Sequence, residues 1–255
     1  IVTIDGVGEK ETLTISRGLN NRIKKLSSSE YPNSIGLFYS AFTSFLGFKP
    51  NEGEYKVMGL AAYGDPSVYY DRIKKLISFK DGKLWVDMQY FSWDYSDTSM
   101  FNWKLMDYLE MVPRDPESKK IEHEYKLIAA SVQTVYEETL FDIINHSYEL
   151  NNSNNLCLGG GCAYNGLANA KIPKNTPYNK LWIPVSPSDG GSCIGACLHY
   201  INIVLWKKKK GPIEPYIGPS FPAHKTAQIL KKYELLITYD HLEIQDVIKT
   251  VAEHL

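Results

Sequence analysis

The chain has little that would tie it to a membrane or to a polyanion. No apolar run reaches the roughly 18 residues that a bilayer span requires. Lys and Arg number 28 against 29 Asp and Glu, and the net charge of −1 creates no field that gathers nucleic acid or anionic lipid. The dense basic run at 207–210 reads as a solvated linker. No secretory signal is visible. Cysteine is scarce, at four residues: Cys157, Cys162, Cys193 and Cys197. Their spacings match no common zinc pattern, and their small, apolar neighbours predict buried structural thiols. Free thiols of that kind fit a reducing cytoplasm, which is the expected compartment. None of the six histidines pairs with another at a helical ligand spacing, so none is assigned to catalysis.

What the chain does have is enough length for a sizeable core, 255 residues, and two widely separated glycine-rich turns. It opens without Met, directly in a strand, and stops inside a helical pattern at Leu255, so a piece of a longer protein is expected. Residues 1–4 are apolar and turn at Asp5-Gly6-Val7-Gly8. Residues 11–16 alternate as a return strand, and Arg22 to Leu26 suggest a third. Asn33 is placed to cap a helix from Ser34, whose apolar face is Ile35, Phe38, Phe42, Phe45 and Leu46. A short helix follows from near Tyr55 and stops before Asp65-Pro66. Asp81-Gly82 predicts a hairpin over 79–86. Residues 90–103 are aromatic and without period, and read as a surface insertion over a cleft, whose rings pack among themselves in preference to stacking on a sugar acceptor.

The strongest helical pattern covers 121–148. Two strand–turn–helix segments come next, at 155–172 and 181–206, and imply parallel strands with right-handed crossovers. A linker at 207–215 leads to helix, strand (Leu235 to Tyr239) and helix over 216–255.

Chemistry is expected where strands end in glycine. Asp5 and Asp189 each stand at the carboxyl end of a strand, where open α/β sheets bind ligands. Two such carboxylates suit a hard or borderline cation, and each alone would also serve as a turn cap. Gly6 and Gly8 leave room for a phosphate beside Asp5. Gly160, Gly161 and Asn165 lie at a helix start, where backbone N–H groups and an amide can meet a phosphate or nucleoside, or where glycine merely lets helix pack on strand. Glu54 and Lys56 open the segment EYKVMGLAAYG. They read equally well as ribose and phosphate contacts or as a surface ion pair.

Taken in order, IDGVGE, SIGLFYSAFTSFLGFKPNEGEYKVMGLAAYGDP, IAASVQTVYEE, LCLGGGCAYNGLANAKI and PVSPSDGGSCIGACL resemble the NodU/CmcH-type O-carbamoyltransferases, the TobZ-like enzymes included. The resemblance covers nearly the whole chain and is weakest over 70–117. It implies an α/β, actin-like or sugar-kinase-like (ASKHA) fold with ribonuclease-H-like lobes. Residues 1–206 would form the transferase domain, incomplete at its start, and 216–255 would begin a YrdC-like domain. It implies ATP and carbamoyl phosphate as substrates, a carbamoyl-adenylate intermediate, and transfer to a hydroxyl of a sugar-like or antibiotic-like molecule. By the same resemblance Asp5 and Asp189 would hold a divalent metal, Fe(II) in the family. Gly160, Gly161 and Asn165 would line the adenylate, with Glu54, Lys56 and Gly64 near its nucleoside or phosphate. A homodimer is compatible with it. The family's two metal-binding histidines and its Arg- and Gly-rich YrdC-like signature do not occur here, so this piece alone is expected to be inactive or a weak nucleotide binder. The competing readings are an ASKHA-fold sugar kinase, a nucleotide-binding module without chemistry, and a tRNA-modifying threonylcarbamoyl transferase. The last is disfavoured by the lack of a basic surface signal.

Overall fold

Alternation in the first strand sets the architecture. In β1 (Val2–Ile4) Val2 and Ile4 are fully buried while Thr3 faces out. The chain returns as β2 (Glu11–Leu19) and β3 (Arg22–Glu30), an antiparallel meander. β1 also pairs, in parallel, with β6 (Asn155–Gly159), and β6 with β7 (Lys180–Trp182). The result is a mixed five-stranded sheet in the order β3-β2-β1-β6-β7. The structure is a computed structural model that describes residues 1–207, 216, 218–233, 236, 238, 240 and 242–254. The chain divides into two units, Ile1–Gly211 and Pro212–Leu255.

The helices of the first unit are α1 (Ile35–Phe45), α2 (Glu54–Ala61), α3 (Tyr70–Lys74), α4 (Trp103–Leu109), α5 (His123–Leu150), α6 (Gly166–Asn175) and α7 (Ser192–His199). A separate hairpin joins β4 (Ile77–Lys80) to β5 (Lys83–Val86). Its turn is the expected one: Asp81 and Gly82 both take positive φ, 51° and 74°, as a two-residue turn of this hand requires. The second unit carries α8 (Ala223–Lys232) and α9 (Ile244–His254), neither with a buried residue. The strand expected over 235–239 falls largely outside the described residues. Among those described, no helix is long and apolar enough to cross a membrane.

Three expectations are corrected. Ser34 caps α1, its hydroxyl accepting from the Leu37 N–H at 3.0 Å, whereas Asn33 accepts from the Val86 N–H at 2.8 Å and ties down the hairpin. The aromatic stretch 90–103 is irregular as anticipated, but Phe91 and Trp93 are core residues. Phe91 sits 5.7 Å from Phe38 and 6.3 Å from Phe42, edge to face. Burying those rings outweighs the lack of regular backbone there, and of the aromatic residues in the stretch Tyr95 and Trp103 are exposed. The thiols divide: Cys193 and Cys197 are exposed, because α7 buries no residue, while Cys157 and Cys162 are half-buried.

Candidate functional site

Three turns meet at the carboxyl edge of the parallel strands. The first follows β1, where the Asp5 carboxylate accepts from the Gly6 N–H at 2.8 Å and from the Gly161 N–H at 3.1 Å. The second is Gly160-Gly161 after β6. The third runs through Pro187 to Asp189 after β7, and the Pro187 carbonyl accepts from the Gly160 N–H at 2.7 Å. Ser34 adds a clasp by donating to the carbonyls of Asp5 and Gly6 at 3.1 and 2.6 Å. Glycine is required at 160: its φ is +88°, and a Cβ there would lie 2.0 Å from the Ile4 carbonyl oxygen. β1 and β6 can approach this closely only without a side chain at that point.

Around this junction opens a cavity of about 820 Å³. Of the ten predicted residues, Asp5, Gly6, Glu54, Gly161, Asn165 and Asp189 line it. Gly8, Lys56, Gly64 and Gly160 do not. Gly8 turns the chain into β2, giving its N–H to Glu11 at 3.1 Å. The Lys56 ammonium lies over the rings of Phe48 and Tyr55, 5.7 and 5.9 Å from their centroids. Gly64 is a packing residue, since a Cβ there would stand 2.0 Å from the Lys126 carbonyl oxygen on α5. Glu54 is held from within: Oε1 accepts from the Ser40 hydroxyl at 2.6 Å and the Asn51 N–H at 2.8 Å. The N–H groups of Gly6, Gly8, Gly160 and Gly161 are all spent on protein acceptors, so these glycines shape the turns and offer no open N–H to a phosphate.

Sequence reasoning missed the floor of the cavity. Tyr39, Tyr136 and Cys162 line it, with Gln133 and Glu137 buried behind them on α5. The available signal was a Gln and a Glu inside the apolar stripe of a helix, at positions a core rarely spends on polar groups. The Tyr136 hydroxyl donates to the Cys162 carbonyl at 2.9 Å, and burial raises its phenol far above the ordinary range. Burial, then the charge of Asp5, pushes the Cys162 thiol up to about 12. A thiol in that state is no nucleophile at neutral pH.

The electrostatics are one-sided. Asp5, Glu52, Glu54 and Asp189 line the cavity, and among the described residues no Lys, Arg or His joins them. Among the described residues no three His, Cys, Asp or Glu side chains converge as a metal cage. Asp5 and Asp189 therefore offer two carboxylates on one cavity, and the described residues do not complete a metal site.

A mixed sheet whose parallel strands end on a lined cavity defines an α/β protein with a cavity at its carboxyl edge. Within that class the chain belongs to the carbamoyltransferase family: residues 1–198 match the family model for the carbamoyltransferase N-terminus. It is 36% identical to an uncharacterized protein of Synechocystis sp. over 259 residues, covering 99% of this chain and 42% of that protein. Nodulation protein NolNO of Sinorhizobium fredii is 26% identical over 260 residues, 99% of this chain and 35% of its own length. Nodulation protein NolO of Bradyrhizobium diazoefficiens is 27% identical over 259 residues, 99% of this chain and 44% of its own. The chain thus spans less than half the length of these relatives.

Proposed function

We propose that this chain is the transferase part of an enzyme that moves a carbamoyl group from carbamoyl-adenylate to a hydroxyl of a sugar-like or antibiotic-like small molecule. The observation that carries the reading is the family match over 1–198, together with a cavity at the carboxyl strand edge that spans every matched segment bearing a candidate residue. The sheet order, a meander followed by parallel strands, is compatible with a ribonuclease-H-like lobe of the ASKHA kind. ATP and carbamoyl phosphate would be the substrates of the whole enzyme, with a YrdC-like domain beginning in 216–255.

The cavity accounts for part of the chemistry. Its volume admits a nucleotide with a small acceptor. Its carboxylates repel phosphate, so the adenylate's charge would call for a cation that the described lining does not supply. A divalent metal, Fe(II) in our reading, would answer that need with Asp5 and Asp189 among its ligands, but the donors here are too few for any step to be assigned to it. The protein's own part is to hold the Asp5 carboxylate at the end of β1 through the Gly6 and Gly161 N–H groups, to place Asp189 on the turn that follows β7, and to keep acceptor and adenylate together. The test is pyrophosphate release from ATP in the full-length protein. It should depend on carbamoyl phosphate, and AMP should appear when a hydroxylated acceptor is added. ADP formed without carbamoyl phosphate would replace this reading with a kinase.

A further inference from the structure

Beneath the cavity runs a buried polar chain that links α5, α6 and α1. Lys171 on α6 donates to Glu137 Oε2 at 2.6 Å. Glu137 Oε1 accepts from Gln133 Nε2 at 2.9 Å. Gln133 and Asn165 form a closed amide pair, Nε2 to Oδ1 and Nδ2 to Oε1, each at 3.0 Å. The Tyr39 hydroxyl donates to Gln133 Oε1 at 2.8 Å. Tyr39, Gln133 and Glu137 are each at least nine-tenths buried.

Hydrogen-bond accounting gives this chain a direction. An ion-paired carboxylate only accepts, so the Gln133 nitrogen must face Glu137. The Gln133 oxygen then faces Tyr39 and Asn165, and all four hydrogen-bonding positions of its amide are used. Asn165 Oδ1 is also filled, by Gln133 and by the Ala168 N–H at 3.1 Å, which caps α6. Two groups are left over at residues that line the cavity: one N–H of Asn165 Nδ2, and the lone pairs of the Tyr39 oxygen. Burial, with the charges of Glu54 and Glu137 behind it, holds the Tyr39 phenol above its ordinary value, so it keeps its proton.

We propose that Gln133, oriented by Glu137, is a positioning residue that presents Asn165 and Tyr39 to the cavity as a donor–acceptor pair for a ribose hydroxyl. A hydroxyl both accepts and donates, as this pair demands. A phosphate only accepts and an ammonium only donates. The proposal rests on the nucleotide reading above, which supplies the ribose. An amide free to rotate by half a turn would present the opposite pattern half the time, and the charge of Glu137 removes that ambiguity.

The test is calorimetric titration of the full-length protein with AMP, 2′-deoxy-AMP and 3′-deoxy-AMP. In the parent protein, loss of one of the two hydroxyls should weaken binding about tenfold, the usual worth of a hydrogen bond in a desolvated site. In Gln133→Leu and in Glu137→Gln that ratio should fall below about twofold. A purely structural role for these residues would weaken all three nucleotides equally and leave the ratio intact, which would overturn the proposal. Glu137→Gln keeps the shape of the side chain and serves if Gln133→Leu does not fold. Equal binding of all three nucleotides by the parent protein would also overturn it. No binding of AMP to the parent protein would reject the nucleotide reading itself, and the positioning role of Gln133 with it.

Discussion

The two strand–turn–helix segments, β6–α6 and β7–α7, are alike in sequence pattern and opposite in burial. Leu156, Leu158, Ala168 and Ile172 in the first are at most 1% exposed. In the second, α7 has no buried residue although its sequence, SCIGACLH, is the more apolar of the two helices. The difference lies in what covers each. α6 is pinned to α5 by the Glu137–Lys171 ion pair and the Gln133–Asn165 amide pair, and Tyr178 beyond it bonds to Ser147 of α5 at 2.8 Å. Among the described residues, no such bond joins α7 to α5. Local pattern makes a helix, and a neighbour makes it core.

The contrast can be broken most sharply at glycine. Gly160→Ala meets both a positive φ and the Ile4 carbonyl and should cost more than about 3 kcal/mol in chemical denaturation. Gly195→Ala in α7 meets nothing within 4 Å and should be neutral or stabilising by up to about 1 kcal/mol. Equal effects would mean that the turn at Gly160 is packed no more tightly than α7. The matched isoleucines come next. Ile172→Ala in α6 should lose about 2–5 kcal/mol, while the partly exposed Ile194 should lose less than about 1 kcal/mol on the same change. Melting of the two variants side by side decides this.

Thiol labelling sharpens the same comparison without mutation. Cys193 and Cys197 should react promptly with a maleimide at neutral pH, while Cys162 stays protected until the protein unfolds. Fast labelling of Cys162 would show that the cavity floor opens. The smallest effect is in pH. Cys162 holds its proton more tightly folded than unfolded, so its contribution to stability is complete below about pH 9 and is lost as pH rises toward 12. Cys162→Ala should flatten that decline. An unchanged slope would assign the decline to Tyr136 and the other raised phenols.

Much of the site was written in the chain. Asp5, Gly161 and Asp189 stand after strands that hydrophobic patterning finds, and a parallel sheet necessarily brings its strand ends to one edge. Lys56 and Gly64 lie in a segment equally conspicuous in sequence, yet one stacks on aromatic rings and the other packs against α5. Spacing along a helix says which residues share a face, and cannot say which face meets the cavity. The buried chain through Tyr39, Gln133 and Glu137 was less legible still, because its partners come from three helices far apart in sequence.

The sequence by itself determined the strands of the first unit, the long helix, the hairpin turn at Asp81-Gly82 and the family, since these depend on local periodicity, on residues able to adopt positive φ, and on the order of motifs. Tertiary structure alone decided that the glycine N–H groups are spent inside the protein, that Phe91 and Trp93 are core, and that Gln133 stands behind Asn165. The reason is physical: a hydrogen-bond partner or a covering surface is a property of two segments at once, and no single stretch of chain specifies it.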